Sequence, residues 1–338
     1  MYEFLYAPQR SRYYKNNFIV KEKLTIETKI IGYKNQGECI LIFIRVDDVI
    51  SFSALIDCYM TASVDKISDI LSEYHVSKLN FLCWTHPDLD HSKGLNKIIE
   101  KYVNEKTQIW IPEGVETHEV ECSREVQELF KKLKQCIVNN DSDYSVYSAS
   151  DVKDLLCYET YCFTRNGLER YPLSIIGYAP NSKIIRKQTY LDKFIKNDRS
   201  IFCVLILGQV RIFLTGDIEN STIDLLPIDS IEDNAHIMKI PHHGSDTSTE
   251  MIEVCSGGCD VACSTVYRMG SSRLPLDEVM EQYSLTSEFL YCTGSKVKEK
   301  EQYEYGMVTV NTNVLDYTYF VEIEGNAELV SRKEKNHE

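Results

Sequence analysis

Short β-branched and apolar runs alternate along the chain with segments whose apolar residues recur every three to four positions. Residues 24–31 and 38–46 read as strands on either side of a turn at 32–37, so a hairpin opens a sheet. Residues 52–57 add a strand, and Val64, Ile67, Ile70 and Leu71 fall on one face of a helix over 64–74. Residues 79–84 read as a buried strand. Leu95, Ile98, Ile99 and Tyr102 then predict a helix within 92–103. Further strands are predicted at 173–178, 201–207, 209–214, 235–240, 261–266, 307–312 and 317–322, with helices over 119–133 and 276–283. The polar stretch 139–150 reads as a loop, and the charged end of the chain carries no structural signal. Strands and helices that alternate, with hairpins opening each half, predict a mixed α/β architecture rather than a purely parallel sheet.

Two of these strands run directly into clusters of polar residues. Residues 79–84 deliver Thr85-His86-Pro87-Asp88-Leu89-Asp90-His91 on a strand-to-helix loop, where α/β folds place their chemistry. Alternation along an extended loop points His86, Asp88 and Asp90 to one side, and His91 can join them at the helix start. Imidazole and carboxylate at that density fit one or two first-row divalent cations. The strand at 209–214 ends in Thr215-Gly216-Asp217, and that at 235–240 ends in Pro241-His242-His243-Gly244-Ser245. Taken singly, each of these later segments is weak, because an aspartate after a strand is most often a turn residue.

Together the segments resemble the metallo-β-lactamase superfamily, and most closely the hydrolase domain of the ComEC DNA-uptake family. That likeness rests on His-x-Asp-x-Asp-His at 86–91, Thr-Gly-Asp at 215–217 and Pro-His-His-Gly-Ser at 241–245. Gln36-Gly37-Glu38-Cys39 and Leu55-Ile56-Asp57 are similar to its first hairpin and acidic motif. The resemblance implies an αββα sandwich of two mixed sheets flanked by helices. It implies that Asp217 bridges two cations, that Asp90, His91 and His243 hold one of them, and that His86 and Asp88 hold the other. Asp57 would tie down the ligand loop, and His242 would contact substrate or leaving group. Two departures stand out. The only histidine between the first loop and Asp217 is His118, with Ile176-Gly177-Tyr178 standing where another ligand is looked for; Arg273-Leu274-Pro275 replaces a Gly-His-Pro. The His86/Asp88 position is therefore expected to hold its ion more weakly, and Arg273 is a candidate catalytic contact beside Asp90 and His242.

Composition narrows the setting. The 338 residues are 43% hydrophobic and 26% charged, ordinary for a folded protein, and read as one domain over 1–338 with an insertion near 113–172 and a polar tail at 325–338. No run reaches the roughly 20 apolar residues of a membrane helix, and the start does not read as a signal peptide. Twelve scattered cysteines, several within apolar runs, fit reduced thiols and a cytoplasmic location. The net charge of −14 disfavours binding nucleic acid by bulk charge. Lys183, Arg186, Lys187, Lys193 and Lys196 form the basic segment best placed to guide a phosphate backbone. The activity that the resemblance implies is a zinc- or manganese-dependent phosphodiesterase or nuclease acting on DNA, and the acidic charge adds the expectation of a basic partner protein. The alternatives are a hydrolase of a small phosphorylated or cyclic nucleotide and, from another class, a metal-free scaffold or binding subunit.

Overall fold

The computed structural model describes residues 17–20, 23–115, 121–138, 145–149, 151, 153–164, 167–295 and 301–333. His118 lies outside the described residues. The strands in chain order are β1 (Asn17–Val20), β2 (Leu24–Tyr33), β3 (Glu38–Val46), β4 (Val49–Ile56), β5 (Phe81–Cys83), β6 (Gln108–Pro112), β7 (Ser145–Ala149), β8 (Lys153–Thr164) and β9 (Gly167–Gly177). They continue with β10 (Cys203–Leu207), β11 (Val210–Leu214), β12 (Asn234–Lys239), β13 (Gly258–Ser264), β14 (Ser287–Cys292), β15 (Tyr305–Asn313), β16 (Tyr319–Gly325) and β17 (Glu328–Arg332).

Period-2 alternation explains how these strands stack. In β3, Ile40, Ile42 and Ile44 enter one buried cluster, while Cys39, Leu41 and Phe43 enter another on the opposite face. A strand buried on both faces reads as one continuous apolar run, as residues 39–44 do. The first cluster is the layer between two sheets, since it also takes Leu205, Ile212, Ile237 and Val261 from the second sheet. One sheet runs β16-β15-β2-β3-β4-β5-β6-β7 and the other β1-β8-β9-β10-β11-β12-β13-β14-β17. Helices Lys66–Glu73, Leu95–Tyr102 and Arg124–Val138 bury their apolar faces on the outside of the first sheet. Helix Asp277–Thr286 and the shorter Asn220–Ile223 and Met251–Val254 cover the second. The result is an αββα sandwich, two mixed sheets with helices on both outer faces, as the resemblance implies.

Most predicted strands are present, with several differences. The polar stretch expected as a loop contains β7, which pairs in parallel with β6. The expected polar tail contains β17, paired antiparallel with β14. Edge strands bury one face at most, so polar composition conceals them. The helix expected over 119–133 is Arg124–Val138. The helix expected within 92–103 is broken, because Gly94 takes φ 96° and a Cβ there would lie 2.4 Å from Met60 Cε. No helix among the described residues is long and apolar enough to cross a membrane.

Both sheets contain a run of parallel strands, β4 to β7 and β11 to β14. Strands β4, β5, β11, β12 and β13 release their chains into the loops that carry Asp57, residues 85–91, Asp217, His242-His243 and Thr265. Strand β3 runs antiparallel to β4, so its first residue, Glu38, sits at the same end.

Candidate metal centre

Three imidazole nitrogens and two carboxylate oxygens converge between the two sheets. Asp217 Oδ2 lies 3.3 Å from His91 Nε2, 3.3 Å from His243 Nε2 and 3.8 Å from His86 Nε2. Asp90 Oδ2 lies 3.2 Å from His243 Nε2 and 3.7 Å from His91 Nε2, and Asp88 Oδ2 lies 3.6 Å from His86 Nε2. All three Nε2 atoms are buried, and none has an aligned hydrogen-bond partner among the described residues. Leaving such atoms unpaired is costly unless something else binds them.

The other nitrogen of each ring is committed. His91 Nδ1 is 2.7 Å from Asp57 Oδ2 and His86 Nδ1 is 3.0 Å from Thr85 Oγ1, which itself donates to Asp57 Oδ2 at 2.6 Å. His243 Nδ1 is 2.8 Å from Thr265 Oγ1, which donates to Glu38 Oε2. In each case an Nδ1–H runs directly or through a hydroxyl to a buried carboxylate, which leaves the Nε2 lone pair facing inward. That is how proteins hold histidines for a cation. The spacing also fits: an ion roughly 2.0–2.1 Å from four tetrahedral ligands holds them about 3.3 Å apart. The atoms His91 Nε2, His243 Nε2, Asp90 Oδ2 and Asp217 Oδ2 have recorded separations of 3.2–3.7 Å.

Local backbone geometry sets these directions. Gly216 has φ 53°, and a Cβ there would meet Ser200 Oγ at 2.4 Å and Thr85 Cβ at 3.0 Å, so the turn that presents Asp217 requires glycine. His242 and His243 both take left-handed φ, 46° and 53°. Two successive non-glycine residues in that region are uncommon, and here they send adjacent rings apart. His243 points into the cluster. His242 stays partly exposed, its Nδ1 3.1 Å from both Glu219 Oε1 and Thr247 Oγ1 and its Nε2 3.3 Å from Asn197 Nδ2.

Two participants escape the sequence reading. Glu38, read as part of a hairpin, is buried and joins His91, Asp217 and His243 in one potential ligand group. Lys239, the last residue of β12, is fully buried, with Nζ 2.9 Å from Glu38 Oε1 and 3.1 Å from Asp217 Oδ1. A lysine flanked by Ile237, Met238 and Ile240 where the strand nears its end is the one signal that could have exposed it. Asp57 is 1% exposed, and its oxygens take Thr85 N, Thr85 Oγ1 and His91 Nδ1, so it braces the ligand loop.

The basic segment divides. Lys196 Nζ sits 2.7 Å from Asp88 Oδ1. Lys183 and Lys187 on helix Ser182–Tyr190, with Lys193 beyond it, line a separate depression of about 300 Å³, and Arg186 is exposed on the same helix. Arg273 donates to the carbonyls of Gly270 and Ser272 in an exposed turn; among the described residues no hydrogen bond or ion pair joins it to the cluster. Tyr178 packs in the outer core and donates to Ser230 O at 3.1 Å, so that segment supplies no ligand.

The charges compensate one another. Burial opposes protonation of His243, but Asp217, Asp90 and Glu38 outweigh it and push its pKa up to about 9. Burial likewise opposes protonation of His91, and Asp217, Glu38 and Asp57 carry it well above the usual histidine range. Burial works against ionisation of Asp90, which His91 and His243 nevertheless hold at about 2. His86 moves the other way, lowered by burial and by His91. Without an ion, imidazolium at His91 and His243 balances the carboxylates. Both are raised above the unfolded histidine value of roughly 6.5, so the stability they lend the metal-free protein is complete below that pH, and the His243 share is lost as pH rises through about 9. Metal uptake must displace those protons, so affinity should fall with falling pH. At pH 7 we expect about two protons released per ion, measured as the dependence of calorimetric binding heat on buffer ionisation enthalpy. Release well below one proton would contradict this charge assignment.

Comparison with protein-family profiles gives no match, and comparison with curated proteins gives none. Among solved structures, the chain is similar to Zn(2+)-bound PqqB from Methylobacterium extorquens, with 12% sequence identity and a TM-score of 0.37. The similarity covers 66% of this chain and 65% of that one, so the chain spans about two thirds of that protein's length.

Proposed function

We propose that this protein is a metal-dependent hydrolase that cleaves phosphodiesters, with DNA as its substrate. The observation that carries this reading is the set of three buried, inward-facing Nε2 atoms around Asp217 Oδ2, each with its Nδ1 fixed from behind. Zinc or manganese would be held by His91, His243, Asp90 and Asp217, with His86 and Asp88 beside them. A divalent ion bound there supplies charge neutralisation for a phosphate and brings the pKa of a water towards 7.

The chain's own residues supply the rest. His242 stands at the rim with Nδ1 held by Glu219 and Thr247 and Nε2 beside Asn197 Nδ2, so its ring is fixed where it would contact the substrate or leaving group. Lys196 puts a positive charge beside Asp88 at the mouth, where an anionic substrate enters. Lys183, Lys187 and Lys193 stand away from the ligands, as expected of residues that grip neighbouring phosphates of a polymer rather than the scissile one.

That separation provides a test. Reversing Lys183, Lys187 and Lys193 together to glutamate is expected to reduce DNA cleavage tenfold or more and to flatten its salt dependence, since fewer counterions are released on binding. Turnover of a small bis-aryl phosphodiester is expected to stay within about twofold. The second reading, a small phosphorylated or cyclic nucleotide as substrate, is favoured by the net charge of −14 and by Lys196 being the sole member of the basic segment recorded in contact with the ligand loop among the described residues. Robust turnover of cyclic or mononucleotide esters with no cleavage of any DNA would establish that reading instead. Protein that holds less than a tenth of an equivalent of metal after loading would point to a scaffold.

A further inference from the structure

We propose that Lys196 is a built-in cation in the place of a second divalent ion, so that the centre is complete with one bound ion. This rests on the metal reading above and sharpens it. The ligands divide unevenly. In the set His91, His243, Asp90 and Asp217, each Nε2 lies 3.2–3.7 Å from both Oδ2 atoms. What remains for a second ion is His86 Nε2 and Asp88 Oδ2, 3.6 Å apart, with at most a share in Asp217 Oδ2, 3.8 Å from His86 Nε2.

Each carboxylate that a second ion would draw on already has an ammonium on its other oxygen. Asp88 Oδ1 is 2.7 Å from Lys196 Nζ, and Asp217 Oδ1 is 3.1 Å from Lys239 Nζ. Asp57, grouped with His86 and His91 by distance, has both oxygens occupied by Thr85 and His91. Two ligands of its own and a share in an oxygen that the first ion already uses make a poorer set than the three or four that hold a catalytic transition ion. The Lys196 charge also stands on the same carboxylate that this ion would use, and two cations a few Å apart repel.

Lys196 is not a loose surface lysine. It opens the 3-10 turn Asn197–Arg199, in which Asn197 reaches Glu219 and His242 and buried Arg199 donates to Glu113 O at 3.0 Å. The turn fixes where the ammonium stands. About a third of each side chain of the Lys196–Asp88 pair remains exposed, so the charge faces the mouth of the centre. A phosphate bound to the ion would meet its second positive charge there.

The test uses Mn²⁺, which avoids the chain's many thiols. Metal-free wild type, Lys196→Gln and Lys196→Glu are titrated with Mn²⁺, bound metal is counted after gel filtration, and paramagnetic resonance reports whether two ions are coupled. Wild type is expected to hold one tight equivalent. Lys196→Gln should bind a second equivalent at least about tenfold more tightly than wild type does, and Lys196→Glu more tightly still, with the spectrum of a coupled pair. Both variants should keep the wild-type melting temperature, because a part-exposed ion pair contributes little to stability. Two equivalent tight ions in wild type would overturn the inference, as would second-ion affinity unchanged in both variants. In either case the hydrolase reading would stand. No tight ion in any of the three proteins would overturn both.

Discussion

Asp217→Asn is expected to give a folded protein that has lost its tight ion and on the order of 10²–10³-fold of its hydrolytic rate. Asp217 Oδ2 is the one oxygen that all three inward Nε2 atoms approach, at 3.3–3.8 Å, so its charge organises the whole set. Asparagine keeps the shape while removing that charge, which separates loss of ligation from loss of packing. Lys239 keeps Glu38 as a partner, so the variant need not unfold. Elemental analysis and the rate on a small phosphodiester read the result, with near-ultraviolet circular dichroism as the folding check. A variant that retains a full equivalent of metal and more than a tenth of the rate would remove Asp217 from the centre. Asp90→Ala and His243→Ala should act in the same direction. Both side chains are buried within the charge network, however, so truncating them also costs stability that ligands on exposed loops would not carry.

Lys239→Met should destabilise the metal-free protein by about 3–5 kcal/mol, because removing one member of a buried ion pair leaves the other charge without compensation. Here two carboxylates lose their cation, since Lys239 serves both Glu38 and Asp217. That is a large part of the total for a typical domain, about 5–15 kcal/mol. Urea unfolding measures it. Adding Glu38→Gln should recover part of the loss, since it removes one of the stranded charges. If the double variant is less stable than Lys239→Met alone, the ammonium is not balancing Glu38.

These two residues also mark the limit of what the sequence discloses. The layout was legible because β2 to β5 and β10 to β13 are apolar runs punctuated by glycine, and the loops after them carry imidazole and carboxylate at a density that chance seldom produces. The separate paths of His242 and His243 follow from left-handed backbone, which no periodicity reveals. Glu38 was hidden because an acidic residue that opens the second strand of a hairpin reads as a solvated strand end. Its position beside the ligands depends on the register of β3 against β4. Lys239 was hidden because a single lysine at a strand end reads as solvated. The division of the basic segment is equally invisible in the sequence: helix Ser182–Tyr190 carries part of it to a separate depression, and among the described residues Lys196 is its one member in contact with the ligand loop. Strands β7 and β17 were missed because their polar composition is that of loops.

The division of the ligands between the two sheets has a consequence for the order of assembly. Glu38, Asp57 and residues 86–91 issue from the strands of one sheet, and Asp217, Lys239, His243 and Thr265 from the strands of the other. Neither half carries the whole set by itself, because His91 and Asp90 belong to the first and His243 and Asp217 to the second. An ion can therefore be captured only after the halves have come together around their shared apolar layer. Once captured it acts as a rivet through the seam, and the sheets cannot part without first shedding it. The metal should thus arrive late on the folding route and act mainly on the rate of coming apart, so loaded protein would resist unfolding for far longer while its speed of folding stays nearly that of the empty chain.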